Sequence, residues 1–187
     1  MPHIAILSSS VRRDRKSHSV ALYFQNYLQK NNLATVEILD LKAYNFPIFE
    51  DTIKTLQNPP GNVVEFANKI KTADGIIIVT PEYNGSFPAS LKNAIDLLYD
   101  EWHGKPISIS TVSAGSFGGS QALVSLQFIL WKIGAWTVTN MFPVPNVTKT
   151  FDDHGNPSDK VATDKLAEAF IHELLECIKL NDVDEIV

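Results

Sequence analysis

Three polar stretches carry the residue types that could do chemistry in this chain. The first, Ser8-Ser-Ser-Val-Arg-Arg-Asp-Arg-Lys-Ser17, sets hydroxyls and guanidinium groups just ahead of a helical pattern. Hydroxyls and backbone amides at a helix amino terminus make a ready anion site, and Arg12 can add a bidentate contact to a phosphate. The plain alternative is a solvated basic loop in which Ser17 is an ordinary helix cap. The second stretch, Thr80-Pro-Glu-Tyr-Asn-Gly-Ser-Phe-Pro88, offers backbone amides, an aromatic ring and the Glu82 carboxylate together. The third, Ser113-Ala-Gly-Ser-Phe-Gly-Gly119, contains three glycines. They let backbone approach a flat ligand or take angles closed to other residues, although a flexible turn explains them as well.

Glu82 invites a catalytic reading, because a nucleoside-processing hydrolase could use such a carboxylate as nucleophile. No second carboxylate stands at an obvious place beside it. The five histidines, His3, His18, His103, His154 and His172, lack ligand spacing, so neither zinc nor iron is indicated. His18 reads as solvent-exposed. One cysteine, Cys177, provides no disulfide and no dithiol centre, and reads as a small packed residue.

The elements that must position these stretches alternate from start to finish. Strand patterns cover Ile4–Ser8, Thr35–Asp40, Gly75–Thr80, Pro106–Ser113 and Trp136–Phe142. Helical patterns cover Ser17–Lys30, Asn62–Thr72, Pro88–Trp102, Gly119–Ile133 and Ser158–Leu180. Strand-helix alternation implies a parallel sheet covered on both faces by right-handed crossovers. The carboxyl ends of all its strands share one edge, so the three polar stretches converge there. Pro143–Pro157 reads as an exposed loop before the last helix. Nothing resembles an internal repeat or linker, so the 187 residues read as one domain.

Composition narrows the function classes. The formal net charge is -5, with 44% hydrophobic and 20% charged residues. A mildly acidic chain does not fit a general nucleic-acid binder. Met1-Pro-His-Ile-Ala-Ile-Leu7 has no basic lead-in and reads as a first strand rather than a signal peptide or membrane span. A cytoplasmic location follows as the default.

Pro81-Glu-Tyr-Asn-Gly-Ser86, then Pro88, then Leu91-Lys-Asn-Ala-Ile-Asp96, closely resembles the signature of the NADPH-dependent FMN reductases. These form the flavodoxin-like group that includes quinone, azo-dye and chromate reductases. The first loop resembles the family's Gly-Ser-x-Arg phosphate segment, with Ser9 where the glycine is expected. Ser17 stands further from Arg12 than in many members, as in a longer-loop subgroup with a second basic residue, here Arg15. Gly118-Gly119 resembles the family's glycine loop.

The resemblance implies a three-layer α/β sandwich with a five-stranded parallel sheet of order 2-1-3-4-5. It implies FMN phosphate at Ser10, Arg12, Arg15 and Ser17. The ring would rest on Pro81, Glu82, Tyr83 and Asn84, with Ser113, Ala114 and Gly115 along another edge. NADPH or NADH would supply electrons, and a quinone, azo compound or free flavin would accept them. No metal and no protein nucleophile is implied; Glu82 then contributes backbone atoms or a subunit contact. An electron carrier of the flavodoxin type, or a redox-sensing flavoprotein acting through a protein partner, is the alternative, disfavoured by the strongly basic first loop. The helix from Gln121 to Ile133 is apolar nearly all round and calls for a burial partner beyond the sheet. A homodimer or homotetramer centred on it and on the Ser90–Trp102 helix would supply one.

Overall fold

The computed structural model describes residues 1–184. Its centre is a parallel sheet built from β1 (His3–Ser8), β2 (Thr35–Asp40), β3 (Gly75–Pro81) and β4 (Pro106–Val112), followed by β5 (Trp136–Thr137) and β6 (Phe142–Val144). The order is β2-β1-β3-β4-β5, with β6 also pairing β4. Every residue of β3 and β4 is buried, whereas the edge strand β2 is mostly half-exposed. That is why the central strands are apolar without alternation.

Successive strand residues face opposite layers. Ile4, Ile6, Ile77 and Val79 pack with α1 (Ser17–Lys30) and the last helix, Lys160–Asp184. Ala5, Leu7, Ile76, Ile78, Ile107 and Ile109 form the second core. That core is closed by the helices Gly61–Thr72, Ala89–Leu97 and Ser120–Lys132. With the short helices Leu41–Tyr44 (α2) and Val147–Thr150 (α6) included, these are α3, α4 and α5, and the last helix is α7. The expected three-layer sandwich and strand order are therefore both present.

Three expectations need correction. The fifth strand is not continuous over Trp136–Phe142, so the sheet has six strands rather than five. Val138 still donates to Ile107 at 2.9 Å, but the next two backbone N–H groups leave the ladder. Thr139 and Asn140 donate instead to the Glu173 carboxylate on α7, at 3.3 and 2.8 Å. The helix expected over Pro88–Trp102 stops at Leu97, because Leu98 is extended and a short 3-10 turn follows at Asp100–Trp102. The break buries Trp102 completely, with its indole N–H on the Ile95 carbonyl at 3.2 Å. Finally, Pro143–Pro157 is not an exposed loop. Val144, Val147 and Phe151 are buried in the first core, and Phe151 bridges Pro157.

Candidate functional site

The register places the three polar stretches side by side. Ser8 pairs with Val79, Val79 with Ser110, and Pro81 with Val112. Between the loops that follow lies an open cleft of about 250 Å³. Arg12, Arg15, Ser17, Pro81, Glu82, Tyr83, Ser113 and Ala114 line it. Ser10, Asn84 and Gly115 do not reach its wall, though each belongs to a loop that does. Val147 and Thr148, which sequence reasoning missed, complete the far side. The spacing of Val144, Val147 and Phe151 was the signal that this segment folds back rather than hanging free.

The first loop is tightly held. Ser8, Ser9 and Ser10 are fully buried. The Ser10 hydroxyl meets the Tyr83 hydroxyl at 2.7 Å, which ties the first loop to the second. The Arg12 guanidinium, on an exposed residue, sits 5.5 Å from the centre of the Tyr83 ring, within cation–π range. Arg15 behaves differently. Both of its terminal nitrogens donate to Asp40, and one also reaches the Ser10 carbonyl at 2.9 Å.

Burial pushes the Asp40 carboxyl up. The Arg15 hydrogen bonds, the Lys42 N–H and the charges of Arg15 and His18 outweigh that, leaving it below the usual carboxylate value. Asp40 was not foreseen. It sits at the end of β2, outside the three polar loops.

Ser17 is not a helix cap. It is the first residue of α1, and no side chain caps that end of the helix. The Ser9 and Ser17 hydroxyl oxygens are buried without a hydrogen-bond partner among the described residues. Leaving a buried hydroxyl unpaired costs about 1–3 kcal/mol. His18, expected in solvent, is half-buried with Nδ1 on the Ser8 hydroxyl at 3.0 Å. Burial and then the Arg15 charge push its imidazole below the usual value.

The middle loop is a closed turn. Tyr83 and Ser86 exchange backbone hydrogen bonds at 2.7 and 3.1 Å. Between them Asn84 and Gly85 have φ of 51° and 77°, the pair of left-handed residues that a two-residue type I′ turn requires. Glu82 donates its N–H to Val112 at 3.0 Å. Its carboxylate accepts from the N–H groups of Gln121 and Ala122, at 3.0 and 3.4 Å. These belong to the first turn of α5, whose N-cap, Gly119, has no side chain to offer. Glu82 is therefore a cap supplied from another loop, not a free nucleophile.

The glycine loop divides by role. A Cβ on Gly119, at φ 84°, would lie 2.9 Å from the Thr111 side chain, and one on Gly118 would lie 2.9 Å from Pro143. Both glycines are demanded by folding. Gly115 has nothing within 4 Å of its missing Cβ, so only there is the backbone open to a close approach.

The sequence profile of NADPH-dependent FMN reductases matches residues 2–149, most of the chain and all three loops. The chain belongs to the NADPH-dependent FMN reductase family. An NAD(P)H-dependent FMN reductase of Saccharomyces cerevisiae is 34% identical over 140 residues, covering 68% of this chain and 72% of that protein. A quinone reductase of Pseudomonas putida is 31% identical over 187 residues, covering 95% of each. The fold is shared with a Paracoccus denitrificans NAD(P)H:(acceptor) oxidoreductase, at TM-score 0.81 and 23% identity, over 97% of this chain and 99% of that one. The chain is an oxidoreductase, and the family works with FMN and NAD(P)H as electron donor.

The residues fit that cofactor chemistry. A dianionic phosphate needs unpaired donors and positive charge. Here there are buried serine hydroxyls without partners, an uncapped helix amino terminus and an exposed arginine. A flavin ring needs backbone at its edge and apolar surface at its face, and the Pro81–Tyr83 wall offers both. No group of three His, Cys, Asp or Glu among the described residues is arranged to hold a metal ion. No helix among them is long and apolar enough to cross a membrane.

Proposed function

We propose that the three-loop cleft holds FMN and passes electrons from NAD(P)H to a quinone, an azo compound, free flavin or a similar small acceptor. The observation that carries this reading is the buried, unpartnered Ser17 hydroxyl in the cleft wall at the start of α1, an end that no side chain caps. On this reading Ser10, Arg12, Arg15 and Ser17 serve the phosphate. Pro81, Glu82, Tyr83 and Asn84 support the ring, and Ser113, Ala114 and Gly115 border its other edge.

Bound there, FMN supplies two-electron hydride chemistry. The chain supplies orientation and charge. Tyr83 is fixed from both sides, by Ser10 and by Arg12, so its ring is a rigid wall. The basic first loop favours a reduced, anionic ring. The open cleft would let donor and acceptor use one site in turn, which supports a ping-pong mechanism.

The reading extends to assembly and location. Val124, Phe128 and Trp131 on α5 are 67%, 63% and 68% exposed, spaced along one stripe, with the last two rings 5.9 Å apart. An apolar stripe of this kind supports a homodimer through α5 and α4, or a homotetramer built from it. The whole chain acts as one cytoplasmic unit.

The test is a visible spectrum of purified protein before and after incubation with FMN, followed by NAD(P)H oxidation with a quinone. Bound flavin and turnover with parallel-line kinetics are expected. Colourless protein that takes up no FMN and oxidises no NAD(P)H overturns the reading.

A further inference from the structure

We propose that a second anion pocket, on the outer side of the first loop, takes the 2′-phosphate that distinguishes NADPH from NADH. The inference deepens the flavin-site reading above and rests on it.

The pocket measures about 320 Å³, and every residue lining it is polar or charged. A ring or an acyl chain finds no apolar surface there. Two cations in its wall are already committed, Arg15 to Asp40 and Lys16 to Asp153. Two are not. Arg13 has no partner among the described residues, and the Lys42 amine reaches only the Arg12 carbonyl, at 3.4 Å. Against them stands one uncommitted carboxylate, Asp14. Ser19 is an independent sign of a ligand. It is only 5% exposed and lines the pocket from the first turn of α1. Its hydroxyl has no hydrogen-bond partner among the described residues. Beside it, the His18 ring spends Nδ1 on Ser8, which leaves Nε2 without a partner among them. An arginine, a lysine, a buried hydroxyl and a ring nitrogen at a helix amino terminus together suit a phosphate monoester dianion.

The position of the pocket says which phosphate. Asp14, Arg15 and Lys16 line both this pocket and the cleft, so the two adjoin across the first loop. FMN has a single phosphate, and on the flavin reading that group sits in the cleft at Ser17. A nicotinamide dinucleotide brings its reacting ring to the flavin and carries adenosine at its opposite end. There NADPH has a phosphate monoester where NADH has a hydroxyl, and an arginine suits that group in dinucleotide sites. Arg13 and Lys42 therefore read the difference between the two donors.

The experiment uses FMN-loaded protein and two adenosine probes, the 2′,5′-bisphosphate and the 5′-monophosphate, titrated by calorimetry. The wild-type protein is expected to bind the bisphosphate about tenfold or more tightly than the monophosphate. The double variant Arg13→Ala, Lys42→Ala should lose that margin, and Ser19→Ala should reduce it a few-fold. In turnover, the double variant should raise the KM for NADPH at unchanged kcat, with the loss confined to NADPH. Equal binding of the two probes, or a margin that survives both substitutions, overturns the assignment while the flavin site stands. Inorganic phosphate bound by the wild type and lost in the double variant, with the two probes bound alike, makes the pocket a free-anion site and also overturns it. So does a double variant that loses FMN affinity, which would place the FMN phosphate there instead. Wild-type protein that takes up no FMN overturns both readings.

Discussion

The two ends of the cleft are finished to different degrees. At the ring end, turn, cap and glycine loop satisfy one another: Tyr83 with Ser86, Glu82 with α5, Thr111 with the Gly118 carbonyl at 2.7 Å. At the phosphate end, two serine hydroxyls are buried without partners and the first turn of α1 has no side-chain cap. Two cations there are already engaged, Arg15 by Asp40 and Lys16 by Asp153. On the proposed reading, the ring end is built for the fold and is used by the ligand, and the phosphate end is completed by its anion. Pre-organisation is therefore uneven, and the stability of the ligand-free protein should be set by one end and ligand affinity by the other.

The largest effect belongs to the ring end. Gly119→Ala places a Cβ at φ 84° and 2.9 Å from the Thr111 side chain. It should cost about 2–4 kcal/mol, summing the left-handed penalty and overpacking. Chemical denaturation of the ligand-free protein measures it, and a loss below about 1 kcal/mol would mean that the loop is looser than described.

Asp40→Asn comes next, at about 1–3 kcal/mol for weakening a charge-assisted pair. It also has a pH signature. Asp40 is held ionised below its ordinary value, so its contribution is present above the unfolded carboxyl pKa and is lost as pH falls through the folded one. The difference in stability between wild type and Asp40→Asn should shrink on acidification below about pH 4. A constant difference would show that the pair contributes no charge.

Ser17→Ala separates the two ends most sharply. Removing a buried hydroxyl without a partner should leave ligand-free stability unchanged or raise it by up to about 1 kcal/mol. The same change should weaken FMN about tenfold, about 1.4 kcal/mol. Parallel loss of both would place the hydroxyl in the ring-end category instead. Gly85→Ala should have the smallest effect, about 1 kcal/mol for a left-handed alanine. Its Cβ would meet only the movable end of Gln121. Thermal unfolding should resolve it as a shift of a few degrees.

Much of this was legible in the residues. The buried runs Gly75–Pro81 and Pro106–Val112 announce central parallel strands, and the Asn84-Gly85 turn is a local signal with a local cause. The i, i+4 spacing of Lys92 and Asp96 on α4 is likewise local, and the two pair at 2.7 Å to one carboxylate oxygen.

What could not be read depends on distant partners. Glu82 is a cap only because α5 starts beside it, 39 residues along the chain. Arg15 is engaged because β2 ends in Asp40 next to β1. Strand five breaks because Glu173, on the last helix, draws two amides out of the ladder. In each case a side chain from a remote element competes for a group whose local pattern points elsewhere.

The most direct test of the uneven cleft is a calorimetric titration of the ligand-free protein with FMN and, separately, with riboflavin, which lacks the phosphate. If the phosphate end is completed by its anion, FMN binds about a hundredfold more tightly, roughly 2.7 kcal/mol, within the range of one or two charge-assisted contacts. Equal affinities for the two would contradict the account.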